Sequence, residues 1–161
     1  MKMSFLAYGV PMKESIINIQ VVYSHINISE GDKLKQVTAA IIKENDKCLI
    51  CQRGSEDECS LLWEFPGGKL EEGETLEACI VREIKEELEL DIEVQDVFTT
   101  SIYHFDNKEI HFTVYNALIV AGQIKLNVHN DARWVTVKEL DLYKFMPADI
   151  EFVDKLKKES R

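Results

Sequence analysis

The sequence predicts an α/β (α+β) domain, with helices sandwiching a mixed β-sheet. Three observations predict it. Runs of β-branched and aromatic residues of strand length recur from residue 16 to residue 137. A stretch with apolar residues four apart lies among them at 74–88, and a second amphipathic stretch closes the chain. Strands interleaved with two or three helices build layered folds in which helices cover the sheet. The length, 161 residues, suits one domain, and 45% hydrophobic with 30% charged side chains suffices for a core without disulfide staples.

In order, residues 16–26 (IINIQVVYSHI) read as a strand and ISEGDK as the turn after it. VTAAIIK (37–43) and CLICQR (48–53) are two strands joined by a tight turn at 44–47, hence a hairpin. GSEDECS (54–60) is a polar loop, and Pro66-Gly67-Gly68 is expected to break any regular element. A helix opens at Glu74-Thr75 and reaches about Leu88, with Leu76, Ile80, Ile84 and Leu88 on one stripe and Val81 beside it. Strands follow at 92–104 and 110–121, then a short one from Trp134 to Val137. Pro147-Ala148-Asp149 starts a last helix that turns Ile150, Val153 and Leu156 inward and ends on Lys155, Lys157 and Lys158. Neither repeat nor linker is visible. The expected organisation is one domain at 35–161 behind an N-terminal extension at 1–34, a candidate edge strand.

The formal charge is −10, and it is concentrated: residues 71–93 hold ten acids and two bases. Such a balance disfavours nucleic-acid strands and anionic membranes, whose binding relies on clustered cations. A small anionic substrate remains open, provided a cation accompanies it. The apolar opening is interrupted by Gly9 and Pro11, so neither a signal nor a membrane segment is expected. Cys48, Cys51, Cys59 and Cys79 form no disulfide framework, which makes a reducing cytoplasm the expected setting. Cys48 and Cys51 stand in C-x-x-C spacing, but on a strand they point to opposite faces and no second pair completes a zinc site.

Glu83, Glu86 and Glu87 stand at i, i+3 and i+4 and project from one helical face. Stacked like charges near a helix C-terminus are destabilising unless divalent cations bind them, and hard oxygens suit Mg²⁺ or Mn²⁺. Taken alone, the triplet fits a solvated acidic face as well.

The triplet lies in a longer pattern, Gly68-x5-Glu74-x7-Arg82-Glu83-Ile84-x-Glu86-Glu87-x-x-Leu90. It resembles the Nudix box, G-x5-E-x7-R-E-U-x-E-E-x-G-U with U aliphatic, and matches eight of its nine specified positions. Chance agreement on the Gly, Glu and Arg positions alone is on the order of 10⁻⁷ at one start. The flanking WEFPGGKLEEGET and the later RWV and PAD segments extend the resemblance over about 37–158, toward the MutT-like branch. The exception is Glu89, where the family has a helix-ending glycine. A non-glycine residue in that left-handed conformation costs on the order of 1 kcal/mol.

The resemblance implies an α/β/α sandwich and Mg²⁺-dependent hydrolysis (Mn²⁺ as a substitute) of a (deoxy)nucleoside triphosphate to the monophosphate and pyrophosphate, by a monomer or homodimer. It implies a metal held by the Gly67 carbonyl and by Glu83, Glu86 and Glu87. Arg82 would hold Glu83 in place and Glu74 would brace the loop. Arg53 and Lys69 would meet phosphate, and Asp149 would read the base, with a helix-capping role as its alternative. In MutT-like enzymes a loop glutamate is one candidate general base; here Val128 occupies that position and His129 follows. The proton then falls to Glu83 or another of the triplet, with His129 a lesser candidate. Phe65, Tyr103 and Tyr115 are candidates for base stacking or core. The signatures of ADP-ribose and coenzyme A hydrolases are missing. The competing readings are a nucleotide-binding module without turnover and an enzyme preferring another nucleoside diphosphate-linked substrate.

Overall fold

The computed structural model describes residues 35–56, 59–105 and 108–160, so the strand expected at 16–26 lies outside the described residues. The elements run β1 (Lys35–Glu44), β2 (Lys47–Gln52), β3 (Trp63–Glu64), β4 (Gly67–Lys69), α1 (Leu76–Leu88), β5 (Asp91–Phe105), β6 (Lys108–Ala121), β7 (Asp131–Thr136) and α2 (Ile150–Glu159). Two 3₁₀ turns, Val137–Leu142 and Pro147–Asp149, separate β7 from α2.

β1 organises the sheet. It pairs antiparallel with β4 and parallel with β6. At its end it turns into β2 through Asn45-Asp46, where Asn45 takes a φ of 55° that asparagine tolerates. β2 lies between β3 and β7, and β5 flanks β6, all antiparallel. The mixed sheet therefore forks at β1, with β4, β6 and β5 on one branch and β2, β3 and β7 on the other.

Alternation along the first two strands sets two cores. Ala39, Ile41, Cys48 and Ile50 face Phe152, Val153 and Leu156 of α2. Ala40, Ile42, Leu49 and Cys51 face Ile80, Ile84 and Leu88 of α1. A helix thus covers each face of the sheet, an α/β/α sandwich. Each fully buried Ile or Leu of the α1 stripe contributes roughly 1.5–3 kcal/mol of transfer free energy. Cys48 and Cys51 point to opposite faces, and all four cysteines are buried, with no disulfide among the described residues.

Three expectations need correction. Pro66-Gly67-Gly68 does not end regular structure: Gly67–Lys69 is a short strand on β1, with Pro66 just ahead of it where no ladder N–H is required. Val81 is exposed, because α1 buries only a narrow stripe. Ile150 is also exposed, and Phe152 takes its place in the core. The preceding 3₁₀ turn sets the phase of α2, so its buried face reads Asp149, Phe152, Val153, Leu156.

Helix α1 starts at Thr75, whose hydroxyl accepts from the Ala78 N–H at 3.1 Å. It ends at Glu89 in the left-handed conformation, φ 56° and ψ 25°, the geometry the missing glycine usually supplies. Lys125 Nζ donates to the Glu89 carboxylate at 2.6 Å and holds the displaced side chain on the surface.

Candidate active site

Two glycines permit the close approach on which the site is built. A Cβ on Gly67 would lie 2.1 Å from the Thr38 carbonyl oxygen and 2.7 Å from Ala39 Cα, so no side chain fits between β4 and β1. A Cβ on Gly68 would lie 2.2 Å from the Glu83 carboxyl carbon. Bare backbone at both positions lets the Glu83 carboxylate lie against β4.

Arg82 is the hub of the helix face. Its Nε and Nη2 donate to the two oxygens of Glu74, at 2.6 and 2.9 Å. Nη1 donates to Glu83 at 2.9 Å and to Glu86 at 3.1 Å, and Nη2 reaches the Lys69 carbonyl at 3.1 Å. Glu74 also accepts the Glu71 N–H at 3.0 Å, which closes the loop ahead of α1. Hydrogen bonds from Arg82 hold the Glu74 carboxyl down at about 2. One guanidinium thus ties β4, the loop and three acids together with charge-assisted bonds.

Glu87 belongs to a second cluster. Its side chain is 17% exposed, and its Oε2 has no hydrogen-bonding partner among the described residues. Burial pushes this carboxyl up to about 7; Glu64 and Glu83 add to the effect, while His129 and the Gly67 amide oppose it. His129 Nε2 lies 4.0 Å from that oxygen and donates to Glu64 at 3.1 Å. The other oxygen of Glu64 accepts from Arg53 Nη1 at 2.8 Å.

Among the residues singled out from the sequence, Gly67, Arg82, Glu83, Glu86 and Glu87 gather where β4 meets α1. Arg53 follows β2 and is held by Glu64. Lys69 is exposed on β4, and it is its backbone carbonyl that joins the Arg82 network. Asp149 is buried, and its Oδ1 accepts the Phe65 N–H at 2.8 Å. Its side chain makes no capping bond to α2, so the capping alternative falls away. Burial drives the Asp149 carboxyl well above the usual range; Glu64 adds to this, and the Phe65 N–H and Arg53 oppose it.

Val128 is exposed, whereas His129 beside it is buried. Phe65 stacks on Phe145 in the α2-side core with ring centroids 5.6 Å apart, and Tyr115 is buried and donates to Glu77 at 3.1 Å. Tyr103 alone of the three candidate aromatics is partly exposed. Sequence reasoning missed Glu64. Its signal was a lone acid between two core aromatics in Trp63-Glu64-Phe65, which on a strand must point away from their core.

No three His, Cys, Asp or Glu side chains among the described residues close into a ready-made metal cage, because Glu83 and Glu86 lean on Arg82. The donor set nevertheless fits a hard divalent cation. It is all oxygen, it carries surplus negative charge, and it includes the unpartnered buried oxygen of Glu87.

An α/β/α sandwich carrying this box on helix α1 defines a Nudix hydrolase. The NUDIX domain family matches residues 33–156, and the chain belongs to that family, in its MutT-like branch. It is 30% identical over 122 residues to the CTP pyrophosphohydrolase of Escherichia coli K12, covering 76% of this chain and 90% of that protein. It is also 30% identical over 129 residues to the 8-oxo-dGTP diphosphatase of the same organism, covering 78% of this chain and 98% of that one. The solution structure of the E. coli ORF135 protein superposes with a TM-score of 0.69 at 29% identity, over 78% of this chain and 89% of that one. Nudix hydrolases generally use divalent metal ions, and the relatives named here act on nucleotides. No helix among the described residues is long and apolar enough to cross a membrane.

Proposed function

We propose that the protein hydrolyses a (deoxy)nucleoside triphosphate to the monophosphate and pyrophosphate with the help of Mg²⁺ or Mn²⁺. The observation that carries this is the arrangement around β4: Arg82-held carboxylates on one side, the unpartnered buried oxygen of Glu87 on the other. Glu83, Glu86, Glu87 and the Gly67 carbonyl would hold the cation. Bound there, it supplies Lewis acidity to the phosphates and acidity to a water. The names of the relatives, a CTP pyrophosphohydrolase and an 8-oxo-dGTP diphosphatase, support the substrate class.

The residues divide the work. Arg82 keeps Glu83 and Glu86 oriented, and Arg53 and Lys69 meet the polyphosphate. Water adds to the α- or β-phosphorus, the P–O bond that links the monophosphate to the pyrophosphate breaks, and a carboxylate of the triplet takes the water's proton. Asp149 reads the base with the oxygen that Phe65 leaves over. Ionised, that oxygen accepts an amino hydrogen such as N4–H of cytosine; neutral, as its burial favours, it also offers an O–H. The catalytic unit is residues 35–161, behind the 1–34 extension, working in a reducing cytoplasm.

Purified protein with Mg²⁺ and a panel of nucleoside triphosphates, read by pyrophosphate release, tests the reading. Turnover of one or a few triphosphates is expected. Nucleotide binding without any turnover overturns it in favour of a binding module.

A further inference from the structure

Two residues outside the box, Glu64 and His129, are given no role in the proposed reaction, yet they meet beside it. The Glu64 carboxylate is gripped at both ends, by Arg53 Nη1 at 2.8 Å and by His129 Nε2 at 3.1 Å. A carboxylate only accepts, so Nε2 carries the proton in this contact. That leaves Nδ1 buried with no hydrogen-bonding partner among the described residues, in a side chain only 3% exposed. An unsatisfied buried nitrogen is costly, so packing alone is a poor reason for a histidine here.

The segment carrying His129 is sewn to both sides. Lys125 N–H donates to the Leu88 carbonyl at 3.0 Å, and Asn127 N–H to the Glu87 carbonyl at 3.1 Å. The Asn127 side chain donates to the Glu86 carbonyl at 2.7 Å. These bonds satisfy carbonyls at the end of α1 that the helix itself leaves open. On the other side, Asn130 N–H and its side-chain amide donate to the Gln52 carbonyl and side chain, both at 2.8 Å. His129 therefore sits on a strap between the end of α1 and β2.

We infer that His129 is a positioning residue: by donating to Glu64 it fixes Glu64, and through Glu64 the Arg53 guanidinium, relative to the carboxylates of α1. The inference builds on the triphosphate reading, in which Arg53 meets phosphate. A planar guanidinium oriented by a carboxylate meets phosphate in a set direction, which favours specific contact over a diffuse charge. It also separates His129 from the general-base role, since Nδ1, the nitrogen left to accept a proton, is buried.

The test uses His129→Ala, His129→Gln, Glu64→Gln and the His129→Ala/Glu64→Gln double variant of the full chain. CTP and 8-oxo-dGTP serve as substrates, with Mn²⁺ affinity and thermal melts measured alongside. His129→Ala is expected to raise KM roughly tenfold with kcat within about threefold, the signature of lost uniform binding. His129→Gln, which keeps an N–H donor, restores most of the loss. The double variant is no worse than the poorer single one, as expected for residues acting through one contact. A collapse of kcat with KM unmoved, or losses that multiply in the double variant, overturns the inference. Should the wild type turn over no nucleoside triphosphate of the panel, the triphosphate reading fails by itself. Equilibrium binding of the α,β-methylene analogue of CTP then decides: about tenfold weaker binding by His129→Ala supports the positioning role, and equal binding refutes it.

Discussion

Burial of Glu87 has a measurable price in the metal-free protein. Its carboxyl titrates near 7 in the folded chain against 4.5 for an ordinary glutamate. Below pH 4.5 both folded and unfolded chains hold the proton, and the group has no differential effect. Between 4.5 and 7 the folded chain keeps a proton that the unfolded chain has lost, so stability falls as pH rises. The full cost above this window is about 3 kcal/mol, from roughly 1.4 kcal/mol for each pH unit separating the two titrations. Glu87→Gln imitates the protonated acid and removes the dependence. Urea melts in EDTA are therefore expected to place the variant within about 1 kcal/mol of wild type near pH 5, and about 3 kcal/mol above it near pH 8. Adding Mg²⁺ should narrow the gap by stabilising wild type alone. A difference that is flat with pH, or a variant less stable at pH 8, would refute the reasoning.

Glu86→Gln should lower turnover by about a hundredfold or more while leaving the melting temperature nearly unchanged, since that side chain is 61% exposed and, among the described residues, bonded to Arg82 alone. Retention of full rate would remove Glu86 from the metal site. Asp149→Asn keeps the shape and the Phe65 contact, so it should reorder the triphosphates in a substrate panel; an unchanged ranking would reduce Asp149 to an anchor for Phe65. Gly122 has φ +97°, and a Cβ there would stand 2.6 Å from the Glu89 carbonyl oxygen. Gly122→Ala should then cost about 2 kcal/mol, a fall of roughly 4–8 °C by differential scanning calorimetry, and a fall below about 1 °C would show that the backbone yields instead.

Much of the fold was legible because its signals are local. The Ala39-Ala40-Ile41-Ile42 run alternates between the two cores, and the four-residue spacing from Leu76 to Leu88 sets the buried stripe of α1. What was not legible depends on distant partners. Gly67–Lys69 becomes a strand because β1, about thirty residues earlier, offers it a ladder. The phase of α2 follows from the turn before it, which puts Asp149 rather than Ile150 on the inner face. At the site, the spacing of the box brings out Arg82 and the three glutamates as a set. It does not show that Arg82 also grips Glu74 and the Lys69 carbonyl, nor that Glu64 and His129 meet across 65 positions. Those contacts are made by tertiary packing.

The fork of the sheet at β1 divides the site by origin. The residues proposed to hold the cation hang from the branch of β4 and from α1, whereas Arg53 and Glu64 hang from the branch of β2 and β3. Both cores nevertheless draw on both branches: Ala39 and Val114 pack with Ile50 and Trp63 on one face, and Ala40 and Tyr115 with Leu49 and Cys51 on the other. A core substitution on either branch is therefore transmitted to the other, so the two halves of the site share one packing constraint although they hang from different strands.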